Sequence, residues 1–484
     1  MRNYLALCVL LVLFFKKSNS QLSTVLGNEP IPSKSQLQWH QLEYYWFAHF
    51  GPNTFTGEEW GSGKEPTSLF NPINFNARQW CQLAKKAGAK GIIITAKHHD
   101  GFCLWPSQYS THTIRESPWK NGQGDILKEL SIACKEFGLL FGVYLSPWDR
   151  NHPAYGTASY NQVFVNMLAE IFQQYGPIWE LWWDGANGEG PNGKRQVYDW
   201  ELFRNTVKKL SPQTVIFSDV GPDIRWVGNE KGFAGITNWN LLNTDGFEPG
   251  EKAPSTDTLQ TGNKFGKYWI PAECDVSIRP GWFWRASENN KVKTADELFQ
   301  LYLKSVGRGA NLLLNVPPND KGVISPFDSV SLTGFNNLLK ENFKNNLATK
   351  VSIQNTLTQK LKTIHTLTDN KTASGCIVNS GCDHIHITLK KNRSANCIFI
   401  QEEISNGQSC SQFDLSLYDE RNVLLKTITG TTIGNKRIIT FPALPVKKII
   451  LRILEQKKST KISEINVFLI NENLIEVKST INSN

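Results

Sequence analysis

The sequence predicts a (β/α)8-like barrel, distorted in its second half, followed by a C-terminal β-sandwich. Three observations carry this. Eight short apolar runs recur between residues 44 and 316, helix-period segments separate several of them, and after Lys350 the texture changes to alternating β-branched strands. At 484 residues the chain is too long for one small core and suits a barrel with a smaller companion domain. Its 16 Trp, 26 Phe and 12 Tyr can fill a large interior.

Residues 1–20 read as a secretory signal. Arg2 is the basic start, residues 4–15 form the apolar run, and Ser18-Asn19-Ser20 is a small-residue cleavage site. That run is too short to span a bilayer, and no later stretch holds about 18 consecutive apolar residues. A secreted protein that is not membrane-embedded is therefore expected.

The eight runs are 44–50, 91–96, 139–145, 178–183, 214–218, 234–239, 268–272 and 310–316. Helix-period segments fall at 77–89, 125–137, 161–175, 200–210 and 294–306. Residues 240–267 are rich in Gly, Pro, Thr and Asp with little helical period, so loops are expected to replace a helix there. A helix near 327–345 closes the barrel domain, bounded at 21–348. The sandwich follows at 349–470 with runs at 385–389, 397–401, 413–418, 437–441 and 448–453, and 471–484 reads as a loose polar tail.

The net charge of +9 is unevenly placed: residues 1–20 carry three bases and no acid, and from 346 onward there are 18 bases and 11 acids. The barrel segment is thus near neutral, which argues against a nucleic-acid substrate. Eight cysteines remain after the signal. Cys376, Cys382, Cys397 and Cys410 crowd into 35 residues, where disulfides are expected in a secreted chain. Asn370-Lys371-Thr372 and Asn392-Arg393-Ser394 are N-glycan acceptor sequences at Asn370 and Asn392.

In such barrels function gathers at the carboxyl ends of the strands. The first run ends in His49-Phe50-Gly51 and leads to Glu58-Glu59-Trp60. The second ends in Lys97-His98-His99-Asp100, the third in Tyr144-Leu145-Ser146, and the fourth in Trp182-Trp183-Asp184-Gly185. Asp219, Arg225 and Glu230 follow the fifth, and Glu273-Cys274-Asp275 with Arg279 to Trp284 follow the seventh. Each alone has a structural explanation: a strand-end Asp caps a turn, and a lone His is a satisfied polar group. Adjacent His98 and His99 could bind a metal, but no acidic ligands stand at metal spacing, so no metal and no cofactor are expected. Together, imidazoles for hydroxyls, indoles for a ring face and separated carboxylates suit a sugar site. Asp184 is then a candidate nucleophile.

Long stretches resemble the α-L-fucosidases of glycoside hydrolase family 29. They are His49-Phe50-Gly51-Pro52-Asn53-Thr54-Phe55, Ala96-Lys97-His98-His99-Asp100-Gly101-Phe102 and Trp183-Asp184-Gly185-Ala186. Residues 223–230 and 271–282, with 431–437 in the sandwich, look like the subgroup selective for α-1,3/1,4-linked fucose, plant members included. The resemblance implies a retaining mechanism with Asp184 as nucleophile and Glu230 as acid/base, Glu273 being the alternative. It implies a fucose pocket of His49, Glu59, Trp60, His98, His99, Tyr144 and Arg225, with Trp284 as a further wall. Asp149 and Asp219 are expected to brace loops, and the sandwich to buttress the barrel. Fucosylated oligosaccharides or glycoproteins are the implied partners. A catalytically silent fucose lectin on the same barrel is the alternative, against which the retention of both Asp184 and Glu230 argues.

Overall fold

The computed structural model describes residues 29–369, 371–390 and 393–475. The signal at 1–20, the glycan acceptors Asn370 and Asn392, and most of the tail lie outside these residues.

Strands β1 (Tyr44–Ala48), β2 (Gly91–Lys97), β3 (Leu140–Leu145), β4 (Glu180–Trp182), β5 (Val215–Ser218) and β6 (Ile224–Trp226) form most of a closed barrel. After a small antiparallel ribbon of β7 (Leu241–Leu242) and β8 (Tyr268–Trp269), β9 (Ala272–Ser277) and β10 (Asn311–Asn315) complete it. All neighbours within the barrel are parallel.

Strand alternation divides the barrel's apolar side chains into two sets. Tyr45, Phe47, Ile93, Tyr144, Trp182, Val215, Phe217, Ile224 and Leu313 pack inside it. Tyr44, Trp46, Ile92, Ile94, Val143, Leu181 and Ile216 belong to the separate core shared with the helices. Those helices begin where a side chain satisfies their free N–H groups: Asn76 before Ala77–Lys86, Asp125 before Ile126–Phe137, Asp199 before Trp200–Leu210 and Thr294 before Ala295–Lys304. A helix at Lys34–His40, held by a Ser33–Gln36 capping box, contributes Trp39 to the interior cluster. The Trp39 indole N–H donates to Glu180 Oε2 at 3.1 Å, which ties this helix to the inward-facing side chain at the start of β4.

Two of the eight expected strands are displaced. Residues 234–239 form no strand, and the sixth barrel strand is Ile224–Trp226, directly after β5. Arg225 at its centre interrupts the apolar run that periodicity reading depends on. Residues 268–272 mostly supply the ribbon, and the barrel strand starts at Ala272. Its inward positions are Glu273, Asp275 and Ser277, which read as loop because they are polar. The expected distortion is present: between β6 and β9 the only helix is Thr256–Thr261.

The C-terminal domain packs a six-stranded antiparallel sheet on a four-stranded one around its own apolar cluster. The expected disulfides do not form: all eight described cysteines are free. Cys397 packs in the core shared with the barrel and Cys410 in the sandwich core, so the fold separates what the sequence crowds together. Cys81 and Cys134 lie 3.7 Å apart between two helices, at a thiol contact rather than a bond. No described helix is long and apolar enough to cross a membrane.

Trp39→Ala empties a fully buried site and leaves Glu180 Oε2 without its donor. A loss of about 3–5 kcal/mol is expected in denaturant unfolding; a loss under about 1 kcal/mol would show that this indole does not secure the barrel interior.

Candidate active site

A cavity of about 160 Å³ opens at the carboxyl ends of the barrel strands, lined by Phe47, His49, Glu59, Trp60, His98, His99, Trp182, Asp184, Ala186, Glu230, Asp275 and Trp282. At about 30 Å³ per water it holds roughly five waters, room for a single sugar ring rather than a chain. A larger cleft of about 730 Å³ lies at the opposite end of the barrel, mostly apolar and far from these carboxylates.

Asp184 follows β4 and continues the inward column of Glu180 and Trp182. Its Oδ1 accepts from the Ala186 N–H at 2.8 Å and its Oδ2 from the Tyr144 hydroxyl at 3.1 Å. His99 Nε2 stands 3.6 Å from Oδ2. A Cβ at position 185 would lie 2.7 Å from Asp219 Oδ2, so any side chain there would displace the Asp219 carboxyl. Asp219, at the end of β5, accepts from the Gly250 N–H at 3.3 Å, which makes it a loop brace. Burial and then the Asp184 charge raise its pKa to about 6. Asp149 also braces: it pairs with buried Lys97 at 3.1 Å and accepts from the Asn151 and His152 N–H groups.

Hydrogen bonds fix the tautomers of two histidines. Asn315 donates through Nδ2 to Ser277 Oγ and to the Trp282 carbonyl, so its Oδ1 must accept from His49 Nδ1 at 3.0 Å. Ser146 donates its hydroxyl to the Trp148 carbonyl and therefore accepts from His99 Nδ1 at 2.8 Å. Both Nε2 atoms are left as acceptors. Burial keeps the rings neutral, lowering His49 to about 3 and His99 to about 4, and drives His98 well below its usual value. His99 Nε2 and Asp184 Oδ2 are thus two acceptors side by side, an arrangement that calls for a hydroxyl donor such as a sugar supplies.

Glu230 lies on the rim, exposed, and its Oε2 accepts from the Trp282 indole N–H at 3.3 Å. Partial desolvation raises its pKa; the Trp282 bond opposes this, and the Asp184 and Glu59 charges add to it. Glu59 accepts from the Trp282 backbone N–H at 3.1 Å and pairs with Arg285 at 2.6 Å, fixing the loop that carries Trp282. Trp60 is 55% exposed and edge-on to His99, so its indole remains free for a ligand.

Three expected site residues stand elsewhere. Arg225 faces away from the barrel axis, because Ile224 and Trp226 take the inward positions of β6. Its guanidinium is spent on the Leu259, Ile270 and Trp239 carbonyls and on Asn238 Oδ1. Glu273 is buried inside the barrel, accepting from the Trp182 indole at 2.9 Å and from the Tyr45 hydroxyl, and does not line the cavity. Trp284 lies beneath the Arg279 guanidinium, 5.9 Å from its ring centroid, and the cavity indole is Trp282. Arg279 itself is held by Asp328.

Asp275 is a site residue that the sequence reading left without a role. It is buried on β9 with Oδ1 accepting from the Trp226 indole at 2.9 Å. Burial, and then the Glu230 and Glu273 charges, push its pKa well above the usual range, which favours the protonated form that can donate into the cavity. Inward parity on β9 would have found it once the strand was placed. Among the described residues no group of three or more His, Cys, Asp or Glu could hold a metal.

Carboxyls of unlike environment, neutral imidazole acceptors and indole walls at the carboxyl end of this barrel define a glycoside hydrolase. The chain belongs to the α-L-fucosidase family, glycoside hydrolase family 29: the family described as Alpha-L-fucosidase matches residues 24–344. It is 42% identical to Alpha-L-fucosidase 1 of Arabidopsis thaliana over 426 residues, 85% of this chain and 82% of that one. Its fold is similar to a glycoside hydrolase 29 family member from a rumen bacterium, with a TM-score of 0.80 and 37% identity, over 94% of this chain and 79% of that one. It is also similar to a Ruminococcus gnavus GH29 fucosidase solved in complex with fucose. There the TM-score is 0.82 and identity 32%, over 92% of this chain and 96% of that one. The activity is that of an α-L-fucosidase, a hydrolase of fucosylated glycans.

Asn315→Ala frees the His49 ring and the Trp282 loop together; kcat/KM on a fucoside is expected to fall about 10–100-fold. Unchanged kcat/KM would mean that the Asn315 bonds do not organise the pocket. Trp282→Phe removes a donor that favours the ionised form of Glu230. The pKa of Glu230 should therefore rise, and with Glu230 as the general acid that the resemblance implies, the alkaline limb of the pH–kcat/KM profile should move to higher pH even as the rate falls. A shift to lower pH would contradict this sign.

Proposed function

We propose that the protein is a retaining exo-α-L-fucosidase that removes terminal α-1,3/1,4-linked fucose, with Asp184 as nucleophile and Glu230 as acid/base. One observation carries the assignment: the two carboxyls share one cavity but sit in unlike environments. Asp184 is fixed by Tyr144 and the Ala186 N–H, while Glu230 stands on the rim with a raised pKa. In the first step an Asp184 oxygen attacks the anomeric carbon, the bond to the leaving oxygen breaks, and Glu230 gives that oxygen its proton. In the second, water attacks the same carbon, Glu230 takes the water proton, and the Asp184 carboxylate leaves. The neutral His49 and His99 rings accept sugar hydroxyls, and the Asp275 acid donates to one. The linkage preference rests on the resemblance of residues 223–230 and 271–282 to the α-1,3/1,4-selective subgroup. Secretion through residues 1–20 and glycosylation at Asn370 and Asn392 belong to the same proposal.

Asp184→Gly is expected to abolish turnover. Glu230→Ala is expected to lose about 10²–10⁴-fold on natural glycans but far less on a fucoside whose leaving group needs no protonation. Wild-type-like glycan turnover by Glu230→Ala would move the acid/base role elsewhere. Fucose released from a Lewis-type trisaccharide, with the α-anomer appearing first by NMR, is the expected product. First appearance of the β-anomer would exclude retention, and cleavage of only an α-1,2-fucosylated trisaccharide would exclude the linkage.

A further inference from the structure

Glu230 has one side-chain hydrogen bond, to Trp282, and stands on the rim, so its place depends on the backbone that carries it. That backbone is the long excursion between β6 and β9, residues 227–271, whose one helix, Thr256–Thr261, is only 6 residues long and far shorter than the helix of an ordinary barrel repeat. Beside Glu230, the Ala234 N–H donates to the Lys304 carbonyl at 3.0 Å and the Ala234 carbonyl accepts from Arg308 at 2.6 Å; farther along, anchors come from two sides. Within the barrel, buried Arg225 gathers it at Trp239, Leu259 and Ile270 through their carbonyls and at Asn238 through Oδ1.

From the other side comes the sandwich. Gln408, fully buried, donates Nε2 to the Asn238 carbonyl at 3.0 Å and accepts from the Asn240 N–H at 2.9 Å. Its amide thus pairs with the excursion as a neighbouring β-strand would. Thr432 Oγ1 accepts from the Asn238 N–H at 3.1 Å, and Thr431 Oγ1 accepts from Thr237 at 2.9 Å. Asn238 therefore has its N–H and carbonyl held by the sandwich and its side-chain oxygen held by Arg225. It lies eight positions after Glu230 in the chain.

We propose that Gln408 and Thr432 are positioning residues for the acid/base: through Asn238 and Arg225 they fix the excursion that presents Glu230 to the leaving oxygen. The sandwich then takes part in catalysis without touching the sugar. This rests on the assignment of Glu230 as acid/base. It accounts for a buried guanidinium bonded to neutral oxygens in a place where a sandwich edge meets the barrel, and for a buried amide matched to two backbone groups 168 and 170 residues away.

The test uses the whole chain carrying Gln408→Ala with Thr432→Val, assayed well below its melting temperature beside wild type and Glu230→Ala. On a Lewis-type trisaccharide, kcat/KM is expected to fall about tenfold or more. On a fucoside with an activated leaving group it should change less than about threefold, because bond cleavage there needs little acid help. In the Glu230→Ala background the same pair should cost almost nothing on the trisaccharide, since the group being positioned is gone. Restoring the hydroxyl with Thr432→Ser in place of Thr432→Val should recover part of the loss. Equal losses on both substrates, or undiminished losses in the Glu230→Ala background, would overturn the clasp while leaving Glu230 in its role. Full trisaccharide turnover by Glu230→Ala alone would overturn both.

Discussion

Strand alternation on β4 is the constraint from which the site follows. Three residues, Glu180, Trp182 and Asp184, project along the barrel axis at successive depths, because each step of two returns a side chain to the same face. The deepest meets Trp39 from the helix before β1, the middle one gives its indole N–H to Glu273, and the outermost receives the Tyr144 hydroxyl. Asp184, the proposed nucleophile, is thereby held on a column of side chains already locked by packing and hydrogen bonds. Burial, and then the charge of Glu273, push the pKa of Glu180 well up, and burial raises that of Glu273 as well, as expected for two carboxyls enclosed in one apolar interior.

The same economy of protons governs the pocket. Asn315 and Ser146 each have only one way to satisfy their own hydrogen bonds, and that choice makes His49 and His99 acceptors toward the cavity. Burial keeps both rings uncharged. The cavity therefore presents acceptors on one side and the neutral acid of Asp275 on another, which suits hydroxyls better than any charged ligand. Glu230 differs by being outside this frame, on a rim held by loops and by the sandwich.

Much of this was legible in the sequence. Asp184, His49, His98, His99, Glu59 and Trp60 all reach one cavity, because they follow strands that lie within mostly apolar runs and are easy to place. The failures share one cause. β6 and β9 carry Arg225, Glu273 and Asp275 within the strand, and polar residues there break the apolar pattern that marks a strand. The resemblance places Arg225 in the pocket and leaves Glu273 open for catalysis, and without the strands placed nothing shows that parity turns Arg225 outward, sinks Glu273 deep in the barrel and brings Asp275 to the cavity. Trp282 and Trp284 are two apart in a loop, and no periodicity distinguishes which enters the cavity; the Glu59 bonds to the Trp282 N–H decide it. The crowding of four cysteines misled for a related reason, since nearness in sequence says little once strands are dealt to different sheets.

The central claim is that Asp184 forms a covalent bond to the sugar. Incubation with 2-deoxy-2-fluoro-α-L-fucosyl fluoride, followed by mass spectrometry of the intact protein and of its peptides, tests it most directly. The fluorine slows both steps while the fluoride leaving group speeds the first, so the intermediate accumulates. The account predicts one fluorofucosyl group per chain, carried by the peptide containing Asp184 and absent from Asp184→Gly. An adduct on another carboxylate, or turnover of the glycan by an enzyme that never forms one, would contradict it.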